Sequence, residues 1–359
     1  MNDDIDLPAQ DAEITPQPDE PERTGMLMTV AVIIISVFGF LGKLMGFVKE
    51  MLIARYWSTS ATTDTFKVVY NGIIFLVYSK AEKLLRPTFL PIFVKHRDQD
   101  REDEALTFLG VTGTLVFVTM TVITGLAIGF APGIISLAWP NIVGQYHALA
   151  VDLLRIASGA MLLLVMSVMT ELTLHAYKRF TAPAFADACR QFALVGAIGG
   201  LIGDGIFPAS SPEGIKAAAW GVLAGGALRL LVQIPALWRK LARTRPSLDL
   251  RNPNVRRMLG LMPPVVVGLV FSASRTYFDS RFGTDAGEGV YAALDYARKI
   301  SDMPVLVLPL AVSLVVYPWV SEWATRMDRE KLAESLMAMT RVMAFIFVPL
   351  AVGLIVLSP

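Results

Sequence analysis

Charge is scarce in this sequence. Of 359 residues, 18% are charged and 54% hydrophobic, and the mean hydropathy is +0.54. Soluble globular domains carry about 25% charge, so a soluble enzyme is excluded. From Ala105 to Val151, 47 consecutive residues hold no Asp, Glu, Lys or Arg. One bilayer crossing takes roughly 20 apolar residues, so this stretch alone has room for two. Cysteine is almost missing as well. Cys189 is the single one, which excludes intramolecular disulfides and cysteine-cluster metal sites. A net charge of +1 argues against a nucleic-acid binder that lives on phosphate neutralisation. Phosphate loops of the form GxxxxGK[ST], HExxH zinc helices and G-x-S-x-G elbows are all lacking. The nearest acidic run, Asp98, Asp100 and Glu102–Glu104, reads as a solvated loop. No metal site or bound cofactor is expected. Any transport would draw on membrane potential, an ion gradient or the substrate's own gradient.

What is present is apolar helix. Hydropathy punctuated by charge predicts nine spans, near 26–48, 64–84, 105–130, 148–175, 182–203, 215–238, 257–279, 288–322 and 332–358. The second is expected to run on through Leu84–Val94, and Pro304, Pro309 and Pro318 mark bend points in the eighth. Residues 1–25 are of another kind, with eight carboxylates, four prolines and one basic residue, Arg23. Low hydrophobicity with charge of one sign predicts a disordered acidic tail. The expectation is therefore an all-α polytopic membrane protein.

Loop charges predict its orientation. Basic residues follow span two (Lys95, His96, Arg97, Arg101), span four (Lys178, Arg179), span six (Arg239 to Arg257) and span eight (Arg326, Arg329, Lys331). Loops 131–147 and 204–214 have no Lys or Arg. The positive-inside rule then places the N-terminus in the cytoplasm.

Ionisable groups at membrane depth cost at least about 2.5 kcal/mol each on insertion scales and are functional candidates. Span one carries Lys43, Lys49 and Glu50. Span two carries Asp64, Lys67, Lys80, Glu82 and Lys83. Span eight carries Asp295, Arg298, Lys299 and Asp302 on one broad face. A cavity lined by Lys43, Lys49, Lys80 and Lys299 would attract an anion, and phosphate is the natural one. Glu50, Asp64 and Asp302 would make salt bridges that break and remake between two access states. Blander readings stand beside these. Lys49, Lys83 and Arg275 are placed to snorkel; Asp152–Arg155 and Asp187–Arg190 are spaced to neutralise one another; Arg229 reads as an interfacial anchor.

A faint internal repeat supports a transporter. Arg55-Tyr56 recurs as Arg281-Phe282, Tyr70 as Tyr296, and Leu90-Pro91-Ile92-Phe93-Val94 as Tyr317-Pro318-Trp319-Val320. The offset is 226 or 227 residues, six spans, which makes two parallel lobes.

Gly42-Lys43-Leu44-Met45-Gly46-Phe47-Val48-Lys49-Glu50, then Ile53-Ala54-Arg55 and Ala61-Thr62-Thr63-Asp64-Thr65-Phe66, resembles the opening of the MurJ (MviN) lipid II flippases. The resemblance continues at Ala81-Glu82, Phe89-Leu90-Pro91, His175–Ala184, Tyr296-Ala297-Arg298-Lys299 and Asp302-Met303-Pro304. It implies the two-lobe fold of the multidrug/oligosaccharidyl-lipid/polysaccharide exporter superfamily. On this chain that means a six-helix N-lobe over 26–245 and a partial C-lobe over 246–359, in a bacterial inner membrane. The implied activity is translocation of a polyprenyl-diphosphate-linked peptidoglycan precursor by alternating access, with no bond broken. Membrane lipids and cell-wall synthesis proteins are the implied partners. The resemblance assigns diphosphate binding to Lys43, Lys49 and Lys299, assisted by Lys80 and Lys83. It assigns state-dependent salt bridges to Glu50, Asp64, Asp302 and Arg298. Three family arginines are lysines here, which keeps the charge and loses the bidentate fork. A family arginine pair falls on Val77 and Tyr78. The family's count of about fourteen spans implies a chain that stops inside the second lobe. Two alternatives stay open: a flippase for another lipid-linked oligosaccharide, and a transport-inactive scaffold for envelope assembly.

Overall fold

In the computed structural model, the described residues are 20–99, 101–203, 206, 211–301 and 329–357. Among them every regular element is a helix. In chain order these are α1 (Glu20–Trp57), α2 (Ala61–Val69), α3 (Phe75–Asp98), α4 (Glu102–Gly129), α5 (Ala131–Ala138), α6 (Gln145–Ala176), α7 (Thr181–Gly203), α8 (Lys216–Leu241), α9 (Pro253–Asp285), α10 (290–301) and α11 (Arg329–Leu357). Six of them are long and apolar enough to cross a membrane: α4, α6, α7, α8, α9 and α11. Residues 1–19 of the acidic tail and Pro304, Pro309 and Pro318 lie outside the described residues, and α1 begins at Glu20, inside the stretch expected to be tail.

α2 and α3 are one continuous helix interrupted by a π-helical turn over Tyr70–Ile74. The extra residue per turn is a local fault that helices carry mostly at functional sites. Here it surrounds Gly72, whose Cα faces the ring of Trp139; a Cβ there would stand 3.1 Å from the indole. Trp139 is fully packed, and its Nε1 donates to Ser280 Oγ of α9 at 3.2 Å. The short α5, which lies within the stretch 131–147 expected to be a loop, delivers this indole.

α6 is the central helix, buried along most of its length, with α3, α4 and α8 around it. Stacked rings fill its C-terminal end, with Phe89 5.4 Å from Phe93 and 5.3 Å from Phe108. In lipid there is no hydrophobic drive between helices, so close approach through small residues becomes the main source of packing energy. α7 receives a neighbour this way on two sides. Gly42 and Gly46 of α1 face Asp187 and Gln191, while Gly221 and Gly225 of α8 face Leu194, Ala197 and the Arg190 carbonyl. Both pairs have the G-x-x-x-G spacing. The apolar side chains left exposed, Val118, Val122 and Leu126 of α4 among them, recur one turn apart and form a lipid-facing stripe.

The chain divides into two compact units, Met1–Ala292 and Ala293–Pro359. Within the first, α9 lies along α3. Lys80 Nζ donates to Ser272 Oγ at 2.6 Å, and Tyr277 Oη donates to the Ala138 carbonyl at 3.3 Å.

Candidate functional site

The charged residues at membrane depth fall into distinct groups. The first is built where α1 ends and α2 begins. Lys49 and Glu50 are consecutive, and both are buried, 6% and 9% exposed. Lys49 Nζ sits 2.7 Å from Glu50 Oε1 and 5.1 Å from the centroid of the Tyr70 ring. The other carboxylate oxygen, Oε2, is 3.6 Å from Nζ of Lys67, which is 2% exposed and also donates to the Ala292 carbonyl at 3.4 Å. One carboxylate thus lies between two ammonium groups. The burial of Lys49 replaces the snorkelling alternative for that residue. Lys43, six residues earlier, is exposed. Lys67 was noted in the sequence only as one of the charges of span two; its spacing three residues after Asp64 was the available signal.

Asp64 is buried beside this cluster and makes a different contact from the lysine bridge expected of it. Its Oδ2 accepts from the Gly289 amide and its Oδ1 from the Ala292 amide, both at 2.6 Å. These amides open α10, where the first helical N–H groups have no intrahelical partner. Glu288 returns the contact, its Oε1 accepting from the Ala61 amide at the start of α2 at 3.2 Å. Gly289 has φ +78°, and a Cβ there would collide with the Thr59 carbonyl, so glycine is required by conformation and by space. Ala61 and Glu288 are separated by 227 residues, the offset of the sequence repeat. The two helix starts that the repeat makes equivalent cap one another.

The second group lies among α3, α6, α7 and α8. Arg229, 3% exposed, donates from Nη1 to Ser167 Oγ at 2.6 Å and from Nη2 to Glu171 Oε2 at 2.7 Å, with its Nε 3.6 Å from Asp187 Oδ1. Its guanidinium stacks on Tyr78 at 5.1 Å. Arg86 reaches the other oxygen of Glu171 at 3.1 Å and Glu82 at 2.8 Å. Arg229 is therefore no interfacial anchor; a headgroup-level arginine would be exposed, and this one is enclosed by carboxylates and a ring. Tyr78, at a position where the family resemblance leads one to expect arginine, instead receives an arginine from α8. Arg190 pairs with Asp187 at 3.1 Å as its spacing predicted, whereas Asp152 pairs with Lys216 at 2.8 Å in place of Arg155.

Lys80 is tied to Ser272, and Lys83, one turn on, is exposed. In the second unit Lys299 donates to Asp295 at 2.7 Å and Arg298 is exposed; Asp302 lies outside the described residues.

Apolar helices long enough to cross a membrane, with buried charges gathered at helix ends and between helices, define a polytopic membrane protein. Structural likeness agrees. The fold superposes with a TM-score of 0.64 on a lipid II flippase MurJ in an inward closed conformation, at 17% identity over 82% of this chain and 59% of that one. It superposes with a TM-score of 0.58 on the Vibrio cholerae MATE transporter VcmN in its bent form, at 11% identity over 84% and 66%. The family model described as lipid II flippase MurJ matches residues 53–359, and this chain belongs to that family. Curated relatives include the lipid II flippase MurJ of Burkholderia cenocepacia, 26% identical over 81% of this chain and 57% of that protein, and the probable lipid II flippase MurJ of Vibrio cholerae, 23% identical over 91% and 63%. The chain thus spans less than two thirds of the length of the relatives it matches.

Proposed function

We propose that this chain moves lipid II, the polyprenyl-diphosphate-linked peptidoglycan precursor, across the bacterial inner membrane by alternating access, for cell-wall synthesis. The observation that carries the reading is the buried Lys49–Glu50–Lys67 cluster in a chain of this family. Glu50 occupies both ammonium groups at close range, 2.7 and 3.6 Å. A diphosphate presents more anionic oxygens than one carboxylate and competes with it for Lys49. Lys43, Lys80, Lys83 and Lys299 are the further cations on the proposed substrate path, with Arg298 and Asp302 as switching partners. Asp64 and Glu288, which cap opposite helix starts within the first unit, would close one mouth of that path. With the N-terminus in the cytoplasm, that mouth is the outer one. Membrane potential, an ion gradient or the substrate's own gradient would drive the cycle.

The test is survival of cells depleted of their own lipid II flippase. Expression of this chain is expected to restore growth, and Lys49→Ala is expected to abolish rescue while reaching the membrane at the parent's level. Failure of the inserted parent chain to rescue sinks the transport reading. Full rescue by Lys49→Ala removes the cluster from the substrate path.

A further inference from the structure

A cleft of about 530 Å³ opens at the basic-loop ends of α6 and α8, lined by Arg179, Pro235, Ala236, Arg239, Lys240 and Arg243. It lies apart from the buried lysine cluster and has no part in the proposed transport path. Four cations meet there. Two are neutralised from the start of α4, Lys240 by Glu102 and Arg243 by Asp103, the latter at 2.8 Å. Arg179 uses one N–H on the Ala236 carbonyl at 2.8 Å and keeps four more donors. Arg239 is exposed and makes no ion pair or hydrogen bond among the described residues. The cleft therefore carries two uncompensated guanidinium groups, the side chain best shaped to grip a phosphate.

Its walls are rigid. α6 ends in a Schellman turn, in which the Arg179 amide donates to the Leu174 carbonyl and the Lys178 amide to that of His175, both at 2.9 Å. Lys178 stands in the left-handed position at φ 56°, where glycine is the usual occupant. This turn, part of the His175–Ala184 motif, aims Arg179 across to α8. Tyr177 donates to Glu102 Oε1 at 2.9 Å, and burial together with that carboxylate holds its hydroxyl above the ordinary tyrosine range, so it stays a donor. Lys240 lies 5.1 Å over the same ring.

Its level in the membrane is marked by Trp238, 66% exposed and adjacent to Arg239 in the last turn of α8. Exposed tryptophans at the ends of apolar helices sit at the headgroup boundary. A phosphate arriving there comes on a lipid. We propose that this cleft is a binding site for the phosphate headgroup of an anionic phospholipid, in the leaflet on the side of the basic loops.

The full chain in detergent micelles, offered equal amounts of phosphatidylglycerol and phosphatidylcholine, tests this by native mass spectrometry of the singly lipid-bound protein. Preference for phosphatidylglycerol is expected, falling about fivefold in Arg239→Gln, as one interfacial charge supplies, and retained in Arg239→Lys. Arg239 makes no ion pair or hydrogen bond among the described residues, so the variant is expected to fold. Equal binding of the two lipids overturns the proposal, as does unchanged preference in Arg239→Gln. Displacement of the lipid by equimolar inorganic phosphate overturns the lipid as the source. The assay needs no transport, so its outcome is independent of the flippase reading.

Discussion

Removal of the Glu171 carboxylate takes an ion partner from two guanidinium groups at once. Arg229 is nearly inaccessible, and Glu171 is its 2.7 Å partner; Arg86 loses its link to α6 at 3.1 Å. An uncompensated buried charge costs about 3–5 kcal/mol, so Glu171→Ala is expected to lower the unfolding midpoint in detergent sharply. Arg86→Ala should cost far less, because its side chain is 42% exposed and solvent screens such pairs. Equal effects of the two would contradict a network centred on Arg229. The charges of this network are plain in the sequence, but their partners are not. Spacing found Asp187–Arg190, which are one turn apart on α7. It could not find Glu171 and Arg229, which are separated by 58 residues and meet only because α6 and α8 pack together.

Several elements in this protein approach one another through glycine. Gly225 is the tightest instance with a backbone neighbour on α7, a Cβ there standing 2.8 Å from the Arg190 carbonyl. Because α1 is packed on the other side of α7, with Gly42 and Gly46 against Asp187 and Gln191, α7 has little room to retreat. Gly225→Ala is expected to cost about 1–3 kcal/mol as overpacking does, measured as a loss of thermal stability, while Gly196→Ala on open helix surface should be neutral. The helices themselves follow from apolar run length, and the six described helices long and apolar enough to cross a membrane fall where hydropathy placed spans. The interruption at Tyr70–Ile74 did not show in hydropathy. A π-turn changes no apolar count and is set by what packs on it, here Trp139 against Gly72.

At the scale of the molecule, the contact with most leverage is the reciprocal capping of α2 and α10. Asp64→Ala removes two charge-assisted hydrogen bonds to amides, each worth about 1.5–3 kcal/mol, and frees the Thr62 region, now 6% exposed. Single-cysteine chains carrying Thr62→Cys on a Cys189→Ser background are expected to react with an impermeant maleimide several-fold faster when Asp64→Ala is added. An unchanged rate would show that these caps do not hold the mouth closed. The repeat offset in the sequence pointed at these two helix starts as equivalents; it gave no hint that they touch.

Whether a segment enters a membrane is a sum of transfer free energies along that segment, and which side a loop occupies follows from its own lysines and arginines. Both are local properties, so helical class, the positions of the six apolar spans and an expected orientation could be derived from residue order alone. Family resemblance was equally legible, because its motifs are short and contiguous. What only the packed structure decided is the pairing of charges. Lys67 meets Ala292 across 225 residues, Arg229 meets Ser167 across 62, and Asp64 meets amides rather than lysines. Such contacts depend on how helices lie against one another. In lipid, that is settled by glycine-lined surfaces and the need of each buried ion for a partner, terms that no single segment contains.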